Sequence, residues 1–404
     1  MRAISGPTGQ EVTGRRVALT GVGVLGCCGI GRDAFWEGLC AAPPEGERRV
    51  PGFDPATWFG PKEARRVDRF AQFAVAAAAM AIEQAGGPDS LDADPHRAGV
   101  IMGTGVGGLE TLEEQVLLNR DKGARRVSPF LVPMMMPNAA AAAVSMRYGL
   151  RGPCETVTTA CAAGTHAISN GARLVASGRC DLVLAGGSEA AMTPTAVAGF
   201  GNMTALSPTG VSRPFDVERD GFVISEGAGV LVLEDMERAR ARGATVLGEV
   251  LGAASTADAH HLTAPAPGGS GAAACMEMAL ADAGLAPADI RQINAHGTST
   301  PLNDAAEAEA ILKVFGSPGP PVTSIKGVTG HALGAAGALE ASAVVLSIQL
   351  ALVPPTGGVG TPDPALGLDL VFGAPRPWQP GPVLSNSFGF GGHNGCLVVG
   401  PSAS

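Results

Sequence analysis

Short apolar runs bounded by turn residues alternate with longer apolar stretches along this chain, and that alternation constrains the fold more than any other feature. The short runs predict buried strands, and the longer stretches predict helices packed on a sheet. The predicted strands cover residues 16–25, 98–103, 180–186, 229–234, 246–252, 290–295, 382–386 and 395–399. The predicted helices cover residues 35–41, 70–85, 271–283, 303–314 and 334–352. This order of elements predicts an α/β protein.

The chain has 404 residues, more than one compact core usually holds, so we expect two units rather than one. The order of strands and helices before residue 250 is similar to the order after it, although literal sequence repetition is weak. We therefore predict two similar halves, residues 1–250 and 251–404. Glycine and alanine are abundant and there is a single tyrosine, which suits tightly packed layers of helix and sheet.

The formal charge of −9 argues against a nucleic-acid partner, because neutralising phosphates requires concentrated lysine and arginine. Local charge differs from the total, since basic residues form two clusters. These clusters are Lys62, Arg65, Arg66 and Arg69, and then Arg120, Lys122, Arg125 and Arg126. Each cluster is typical either of a surface for an acidic partner or of a solvated helix face, and the residues alone leave both interpretations open.

The first residues carry no apolar signal segment, and the apolar runs at 73–82 and 139–144 are too short to cross a bilayer. We therefore expect a cytoplasmic protein without a membrane partner. The eight cysteines lack the spacing of metal ligands, and the adjacent Cys27 and Cys28 do not form a CxxC pair. Neither a metal site nor a disulfide framework is expected, and most cysteines should be reduced core residues.

Cys161 stands where a β-branched strand gives way to a helix, in the sequence Thr-Ala-Cys-Ala-Ala-Gly. A cysteine at a helix N-terminus lies at the positive end of the helix dipole, which predicts a lowered thiol pKa and a larger thiolate fraction. The small residues that follow leave room for a bulky thioester. The alternative is a buried core cysteine. His166, five residues on, points to a different helix face, and we interpret it as structural.

Two further segments place a histidine among small and hydroxyl residues. His296 follows a predicted strand and precedes Gly-Thr-Ser-Thr, and strand ends are where α/β sites gather. A later segment holds Lys326, His331 and Glu340 among four glycines. A lone histidine is more often a core residue, but two of them together with a candidate nucleophile indicate an active site.

A last segment, residues 386–395, reads Asn-Ser-Phe-Gly-Phe-Gly-Gly-His-Asn-Gly around Phe390. Glycines on both sides of Phe390 allow the loop to aim backbone N–H groups or to move, and we predict that Phe390 gates access to Cys161. The loop lacks the lysine and the spacing of a P-loop, and no GxGxxG fingerprint opens a βαβ unit. A nucleotide cofactor is therefore not expected.

Together these four segments resemble the thiolase-like β-ketoacyl-acyl-carrier-protein synthases, in particular the elongating synthase I/II group and the ketosynthase subunits of type II polyketide assembly. The motifs TACAAGTHAI, NAHGTSTPLND, KGVTGHALGAAGALE and NSFGFGGHNG occur in the family's order across nearly the whole chain. The resemblance implies a duplicated fold with αβαβα layers and a decarboxylative Claisen condensation of an acyl chain with malonyl-ACP. It implies no cofactor of the enzyme's own, because phosphopantetheine arrives on the acyl carrier protein.

The resemblance also implies a role for each motif residue. Cys161 would accept the acyl chain, and His296 and His331 would bind the malonyl thioester carbonyl and promote decarboxylation. Lys326, assisted by Glu340, would organise the site electrostatically. The other implied roles are an oxyanion hole from the N–H groups of Cys161 and Phe390, phosphopantetheine contacts from Thr298 and Thr300, an acyl tunnel lined by Val106, Leu131 and Phe200, and carrier docking by Arg65, Arg66, Arg125 and Arg126.

The resemblance leaves two functions open. Cys161 favours a catalytic synthase, and the alternative is a non-catalytic chain-length-determining partner in a ketosynthase heterodimer. The run Ser-Thr-Pro-Leu-Asn-Asp after His-Gly-Thr favours fatty-acid synthase II over aromatic polyketide synthases. His260, where a tyrosine is common, and the pair Cys27 and Cys28 depart from the family pattern and leave pathway and chain length open. We also expect a two-fold dimer, homodimeric or heterodimeric, with the strand before Cys161 at its interface.

Overall fold

The structure is a computed structural model and describes residues 2–5 and 11–402, so the outermost residues of the two predicted halves lie outside the described residues. The strands are β1 (Arg2–Ser5), β2 (Glu11–Gly14), β3 (Val17–Gly26), β4 (Gly29–Ile30), β5 (Ala98–Gly103), β6 (Cys154–Val157), β7 (Leu182–Glu189), β8 (Gly227–Asp235), β9 (Gly248–Ala257), β10 (Gln292–Asn294), β11 (Val322–Thr323), β12 (Leu352–Val353), β13 (Arg376–Pro377), β14 (Val383–Gly389) and β15 (His393–Gly400). The α-helices are α1 (Arg32–Leu39), α2 (Pro61–Ala64), α3 (Arg69–Gln84), α4 (Leu109–Lys122), α5 (Leu131–Met135), α6 (Ala139–Tyr148), α7 (Ala163–Ala176), α8 (Pro194–Asn202), α9 (Met236–Ala241), α10 (Ser270–Ala283), α11 (Pro301–Phe315), α12 (Lys326–Thr329) and α13 (Ala336–Leu350).

The two halves have the same strand topology. The first half has the order β3-β8-β7-β5-β6 and the second has β9-β15-β14-β10-β11. In each half this is the first, fifth, fourth, second and third of the five strands that lie on the path of the large sheet. In both halves the first two pairings of that order are antiparallel and the last two are parallel. The predicted duplicated α/β fold is therefore confirmed. The second half begins with β9, so the predicted boundary at residue 250 falls inside that strand.

Helices fill three layers around these strands. Helices α7 and α13 pack against each other between the two sets of strands, where α7 contacts β5 and β7 and α13 contacts β8 and β14. On the outer faces α3 packs on β3 and β8, and α10 packs on β9 and β15. The layer order is thus αβαβα, and both central helices begin at the middle of the molecule, where a site can draw on both halves.

The central helix α13 is apolar on all sides, as expected for a helix buried in a large core. The stretch Leu333–Leu350 is long and apolar enough to cross a membrane by length and composition, and it is longer than the runs at 73–82 and 139–144 considered above. In the fold, 89% of this stretch is buried inside the protein. Burial against the strands of both halves accounts for its apolar character.

The predicted strands and core helices lie within a few residues of the observed ones, whereas six helices of the first half were not predicted. These helices are α2, α4, α5, α6, α8 and α9. Helix α4 buries only Thr111, and α5 and α8 bury no residue, so they lack the apolar stripe on which helix prediction depends. The first half therefore carries a layer of helices on its surface that the sequence pattern does not reveal.

Candidate active site

Cys161 lies at a tight turn between β6 and α7. A single 3₁₀ turn, Ala160–Ala162, precedes the helix, and Ala160 has a φ of 50°. Positive φ is unfavourable for a residue with a Cβ atom, so the surrounding packing must hold this turn in place. The turn brings the Cys161 thiol to the wall of a cavity, although the residue is only 8% exposed.

Both predicted histidines lie beside this thiol. His331 Nε2 is 3.0 Å from Cys161 Sγ. The ring of His296 packs edge-on against the ring of His331 with centroids 5.5 Å apart, and all three residues line the same cavity. The structure therefore brings together three residues that belong to three separate sequence motifs.

Lys326 fixes the orientation of His296. Its Nζ lies 3.3 Å from His296 Nδ1, donates to the His296 carbonyl oxygen at 2.7 Å and forms an ion pair with Glu340 Oε1. An ammonium group only donates hydrogen bonds, so His296 Nδ1 must accept and the ring proton must lie on Nε2. His296 therefore has a defined tautomer with an N–H donor on the nitrogen away from Lys326.

His331 has no such support. Its Nδ1 is buried and has no hydrogen-bond partner among the described residues, and its Nε2 faces the thiol. Because nothing fixes the tautomer of this ring, Nε2 can accept a proton from Cys161 or donate one to a substrate oxygen. The two histidines thus differ at Nδ1: Lys326 holds that atom in His296, whereas in His331 it has no partner, so only His331 can change its tautomer.

Both imidazoles are neutral at neutral pH. Burial, reinforced by the charge of Lys326, holds the pKa of His296 and of His331 well below the ordinary value of 6.5. Burial also raises the pKa of Glu340 to about 7, against the opposing effect of its ion pair with Lys326. Each histidine can therefore supply a neutral N–H donor to developing negative charge.

The Cys161 thiol is not activated in the way that its helix position predicts. Burial raises the pKa of Cys161 to about 12, and the nearby charge of Lys326 offsets this only in part. The prediction of a lowered thiol pKa is therefore wrong for the resting site, because desolvation of a thiolate outweighs the helix N-terminus. The resting pair is a neutral thiol and a neutral imidazole, with His331 Nε2 as the nearest proton acceptor.

Backbone N–H groups converge on the thiol from the last motif. The N–H of Phe390 donates to Cys161 Sγ, and Gly389 lies against the turn that carries Cys161. A Cβ atom added at Gly389 would lie 3.1 Å from Cys161 N, so a glycine keeps the space in front of that amide open. Two N–H groups beside one open space have the arrangement of an oxyanion hole.

The cavity that reaches Cys161 has a volume of about 300 Å³. Thr298 and Thr300 are among the hydroxyl residues that line it, and their Oγ1 atoms are 2.9 Å apart. Phe390 lines it too, and the following Gly391 and Gly392 have φ values of 81° and 72°. Only glycine readily adopts two consecutive left-handed conformations, which explains why both residues are glycine. The gate at Phe390 stays a prediction.

The three predicted tunnel residues do not lie together. Phe200 lines the cavity and packs edge-on against Phe222, with ring centroids 5.4 Å apart. Val106 is 45% exposed in the loop before α4, and Leu131 is the first residue of α5. Neither of these two lines the cavity within this chain.

The predicted docking residues Arg65, Arg66, Arg125 and Arg126 are all exposed. The guanidinium of Arg66 stacks on the ring of Phe130 at 4.6 Å, which joins the two basic clusters into one basic surface. Two other arginines of these clusters are neutralised by ion pairs, Arg69 with Glu226 and Arg120 with Asp121.

Sequence reasoning missed Glu307, a buried carboxylate behind His296. Its two oxygens accept the backbone N–H groups of His296 and Gly297 at 2.8 and 2.7 Å, and burial raises its pKa to about 7. Asp304, one turn earlier on α11, is also fully buried and accepts the N–H of Phe215 at 2.8 Å. The signal was present in the sequence, since two acidic residues three apart interrupt an otherwise apolar helix face.

A second missed carboxylate, Glu189, supports the loops on the other side of the site. It accepts the backbone N–H groups of Gly105 at 2.6 Å and Gly334 at 3.0 Å and the hydroxyl of Thr104 at 3.0 Å. Burial raises its pKa to about 7. Its position at the end of an apolar strand gives no hint of these partners, because they come from distant segments.

His166 is structural, as interpreted from its spacing. Its Nδ1 lies 2.8 Å from Thr159 Oγ1 and its Nε2 lies 3.1 Å from the carbonyl oxygen of Asn394. Both nitrogens are thus occupied. The ring ties the segment before Cys161 to β15, and it does not line the cavity.

Comparisons with known proteins agree with this geometry. The family model described as "Beta-ketoacyl synthase, N-terminal domain" matches residues 46–239, and "Beta-ketoacyl synthase, C-terminal domain" matches residues 247–359. A curated relative, 3-oxoacyl-[acyl-carrier-protein] synthase 2 of Synechocystis sp. (strain ATCC 27184 / PCC 6803 / Kazusa), is 44% identical over 407 residues, which cover 95% of this chain and 97% of the relative.

Two solved structures are similar over almost the whole fold. The ishigamide ketosynthase/chain length factor matches with a TM-score of 0.89 and 36% identity, over 96% of this chain and 100% of the other. A type II PKS acyl-carrier protein in complex with its ketosynthase bound to the hexaketide matches with a TM-score of 0.86 and 32% identity, over the same shares of the two chains.

Proposed function

The chain belongs to the β-ketoacyl synthase family, and from that premise we propose that it is an elongating β-ketoacyl-ACP synthase whose chemistry is carried by Cys161, His296 and His331. The observation that carries this assignment is the 3.0 Å contact between Cys161 Sγ and His331 Nε2, next to a second histidine oriented by Lys326. A nucleophile, a proton acceptor and two neutral donors at one cavity fit a two-stage acyl transfer.

In the first stage the acyl chain moves to the enzyme. The Cys161 thiol gives its proton to His331 Nε2, and the thiolate attacks the carbonyl carbon of the acyl-ACP thioester. The oxyanion that forms accepts from the N–H groups of Cys161 and Phe390. When the intermediate collapses, the C–S bond to phosphopantetheine breaks, and the departing thiolate takes the proton from His331. This order overcomes the raised thiol pKa, because the proton is transferred as the bond forms.

In the second stage malonyl-ACP extends the chain. The malonyl thioester oxygen accepts from Nε2–H of His296 and, in its other tautomer, of His331, while the bond to the carboxylate carbon breaks and CO₂ leaves. The resulting enolate carbon attacks the Cys161 thioester, the C–S bond to Cys161 breaks, and the β-ketoacyl chain departs on the carrier. The Cys161 thiolate then takes up a proton from solvent, because its own proton left on the first carrier. Each donor of this kind contributes about 10²–10³ in rate. Holding both thioesters in one cavity makes the attack effectively unimolecular.

The experiment that tests the proposal is intact-mass measurement after incubation with acyl-ACP. The wild type should gain one acyl group, and a control variant that loses another free cysteine, Cys40→Ala, should gain it equally. Cys161→Ala should gain none. If the wild type binds acyl-ACP but gains no covalent acyl group, the alternative of a non-catalytic chain-length partner is supported and the catalytic assignment fails.

The basic surface supports an acyl carrier protein as the partner that delivers both thioesters. Arg65, Arg66, Arg125 and Arg126 are exposed and have no carboxylate partner among the described residues, which suits an acidic protein. Reversing all four charges should weaken carrier binding more than tenfold at low salt and reduce its salt dependence. Arg173→Glu, on an exposed part of α7, is the matched control and should leave binding unchanged.

The proposal includes a dimer and a cytoplasmic location. Strand β6 is at the edge of the sheet and is partly exposed, so its free edge can pair with the same strand of a second chain about a two-fold axis. That second chain is a further copy or a chain-length subunit, as in the ishigamide ketosynthase/chain length factor. Light scattering of the protein alone separates the two, since only the homodimer has twice the chain mass. We assign no cofactor beyond the phosphopantetheine that the carrier brings.

A further inference from the structure

The adjacent cysteines Cys27 and Cys28 have no part in the condensation. They form the two-residue turn between β3 and β4, with Gly26 and Gly29 paired across it. Cys27 is 8% exposed, and Cys28 is partly exposed. Their two side chains are in hydrogen-bond contact with each other. The turn therefore presents two thiols side by side, one of them accessible from outside.

Cys27 is in direct contact with the segment that carries the catalytic residues. Its Sγ lies 3.4 Å from the carbonyl oxygen of Val328 and 3.3 Å from that of Thr329. Both carbonyls lie in α12, between Lys326 and His331. The Cys27 S–H is thus a donor that ties the β3–β4 turn to the short segment on which the active-site lysine and histidine depend.

The two thiols of the turn have different surroundings. Cys27 is buried and its S–H faces the carbonyls of α12, whereas Cys28 is partly exposed. The hydrogen bond between the two thiols lowers the pKa of Cys27 and raises that of Cys28, although burial opposes the effect on Cys27. This contact places each sulfur within reach of the other, so either one can resolve a sulfenic acid that forms on its neighbour.

We propose that Cys27 and Cys28 form a redox-active dithiol that hydroperoxides oxidise to a disulfide, which releases α12 and slows the condensing site. The thiolate of one cysteine of the pair attacks the outer peroxide oxygen, the O–O bond breaks, and the alcohol or water leaves with the proton that the thiol has lost. The other sulfur then displaces hydroxide from the sulfenic acid, and its proton completes a water molecule. Two thiols and one hydroperoxide thus become one disulfide, one water and one alcohol, or two waters with hydrogen peroxide.

The product bond is reversible by its geometry. Consecutive Cα atoms are about 3.8 Å apart, which is below the usual range for disulfide-linked residues, so the bond is strained and readily reduced. In the oxidised form Cys27 has no S–H, and the carbonyls of Val328 and Thr329 lose their donor. Buried carbonyls without a partner are unfavourable, so α12 shifts or frays. Lys326 and His331 then lose their exact placement relative to Cys161.

The test separates the dithiol from the nucleophile, which peroxide would also attack. Cys161 is first protected as its acyl thioester, and the protein is treated with hydrogen peroxide and freed of it. Peptide mass mapping should find the Cys27–Cys28 peptide lighter by two hydrogens, and amide exchange over residues 326–331 should rise about tenfold. Condensation with malonyl-ACP should fall about tenfold, since small misplacements in a site reduce rates strongly. Dithiothreitol should reverse all three changes.

Cys27→Ser, whose hydroxyl can donate to the same carbonyls, should form no disulfide and keep exchange and condensation at the untreated level, and Cys40→Ser should behave as the wild type. The mapping and the exchange arm need no catalytic activity, and Cys161→Ala replaces the acyl-enzyme if Cys161 takes up no acyl group, so they decide the proposal even if the proposed function fails. The proposal is overturned if the peptide keeps both hydrogens while other cysteines oxidise. It is also overturned if the disulfide forms and exchange over residues 326–331 does not change.

Discussion

The two halves of the molecule carry the same turn in front of their central helices, but only one of the turns is open to substrate. Ala160-Cys-Ala-Ala-Gly164 precedes and begins α7, and Leu333-Gly-Ala-Ala-Gly337 precedes and begins α13. The first residue of each has a positive φ, 50° for Ala160 and 45° for Leu333, and a 3₁₀ turn follows in both. Duplication has therefore produced two copies of the backbone turn that a nucleophile requires.

The difference between the turns lies in what packs against their second residue. At Gly334 an added Cβ atom would lie 2.1 Å from the backbone nitrogen of Gly105, so the loop after β5 fills the space that a side chain would need. At Cys161 the corresponding space holds a thiol next to His331. One turn is thus sealed by backbone, and the other carries the proposed nucleophile. The duplicated fold therefore has two equivalent turns but only one open site, because the turn at Gly334 is closed.

The largest effect is expected when the nucleophile of the open turn is removed. Cys161→Gln offers an amide in place of the thiol, so no acyl-enzyme can form and condensation should fall about 10⁴-fold. Decarboxylation of malonyl-ACP needs donors at the thioester oxygen and no covalent intermediate, so it should continue. The measurement is CO₂ release together with β-ketoacyl product. If CO₂ release stops in a correctly folded variant, the division of roles is wrong.

The next largest effect should come from the histidine that reaches the open turn from the second half. His331→Ala removes one of two donors to the enolate, so CO₂ release should fall about 10²–10³-fold. The oxyanion hole is unchanged, so Cys161 should still be acylated, although more slowly because its proton acceptor is lost. His260→Ala, an exposed histidine, is the control and should be neutral for both steps. Equal loss of acylation and decarboxylation would contradict the assignment.

The closed turn can be tested by stability rather than rate. Gly334→Ala places a Cβ atom against backbone that cannot rotate away, so the free energy of unfolding should fall by about 1–3 kcal/mol. Cys161→Ala, at the equivalent residue of the open turn, should cost much less. Gly199→Ala, where an added Cβ meets nothing within 4 Å, is the control in a helix and should be neutral or stabilising. Urea unfolding of the three variants is the measurement.

The candidate catalytic residues could be predicted from the sequence because each lies in a dense motif of small residues, and the structure brings Cys161, His296 and His331 together. The second turn was not recognised, because only three of its five residues match the first and its second residue is a glycine. The thiol pKa was predicted in the wrong direction, since burial depends on packing from both halves and is not a property of one helix end. Val106 and Leu131 were predicted for the cavity by position in the family, and nothing local shows which cavity a loop residue faces.

The smallest expected effect concerns the charge of Lys326, which acts on His331 beside the open turn. Lys326 lowers the pKa of His331, after burial as the larger cause, so the ring stays neutral and able to accept the Cys161 proton well below pH 6.5. Replacing the ion pair by neutral groups, Lys326→Met with Glu340→Gln, removes that effect without leaving a buried carboxylate unpaired. The pKa of His331 should then rise, so the acid limb of Cys161 acylation should move to higher pH and the acylation rate should fall most at the acid end of the profile. Lys313→Met, on the exposed face of α11, should leave the pH profile unchanged.

The measurement is acyl-enzyme formation by mass from pH 5 to 8, and it distinguishes an electrostatic role of Lys326 from a purely structural one. A distorted site lowers the acylation rate at every pH, whereas the loss of a charge moves the acid limb of the pH profile. A pH profile parallel to that of the wild type would therefore show that Lys326 positions His296 and does not tune His331.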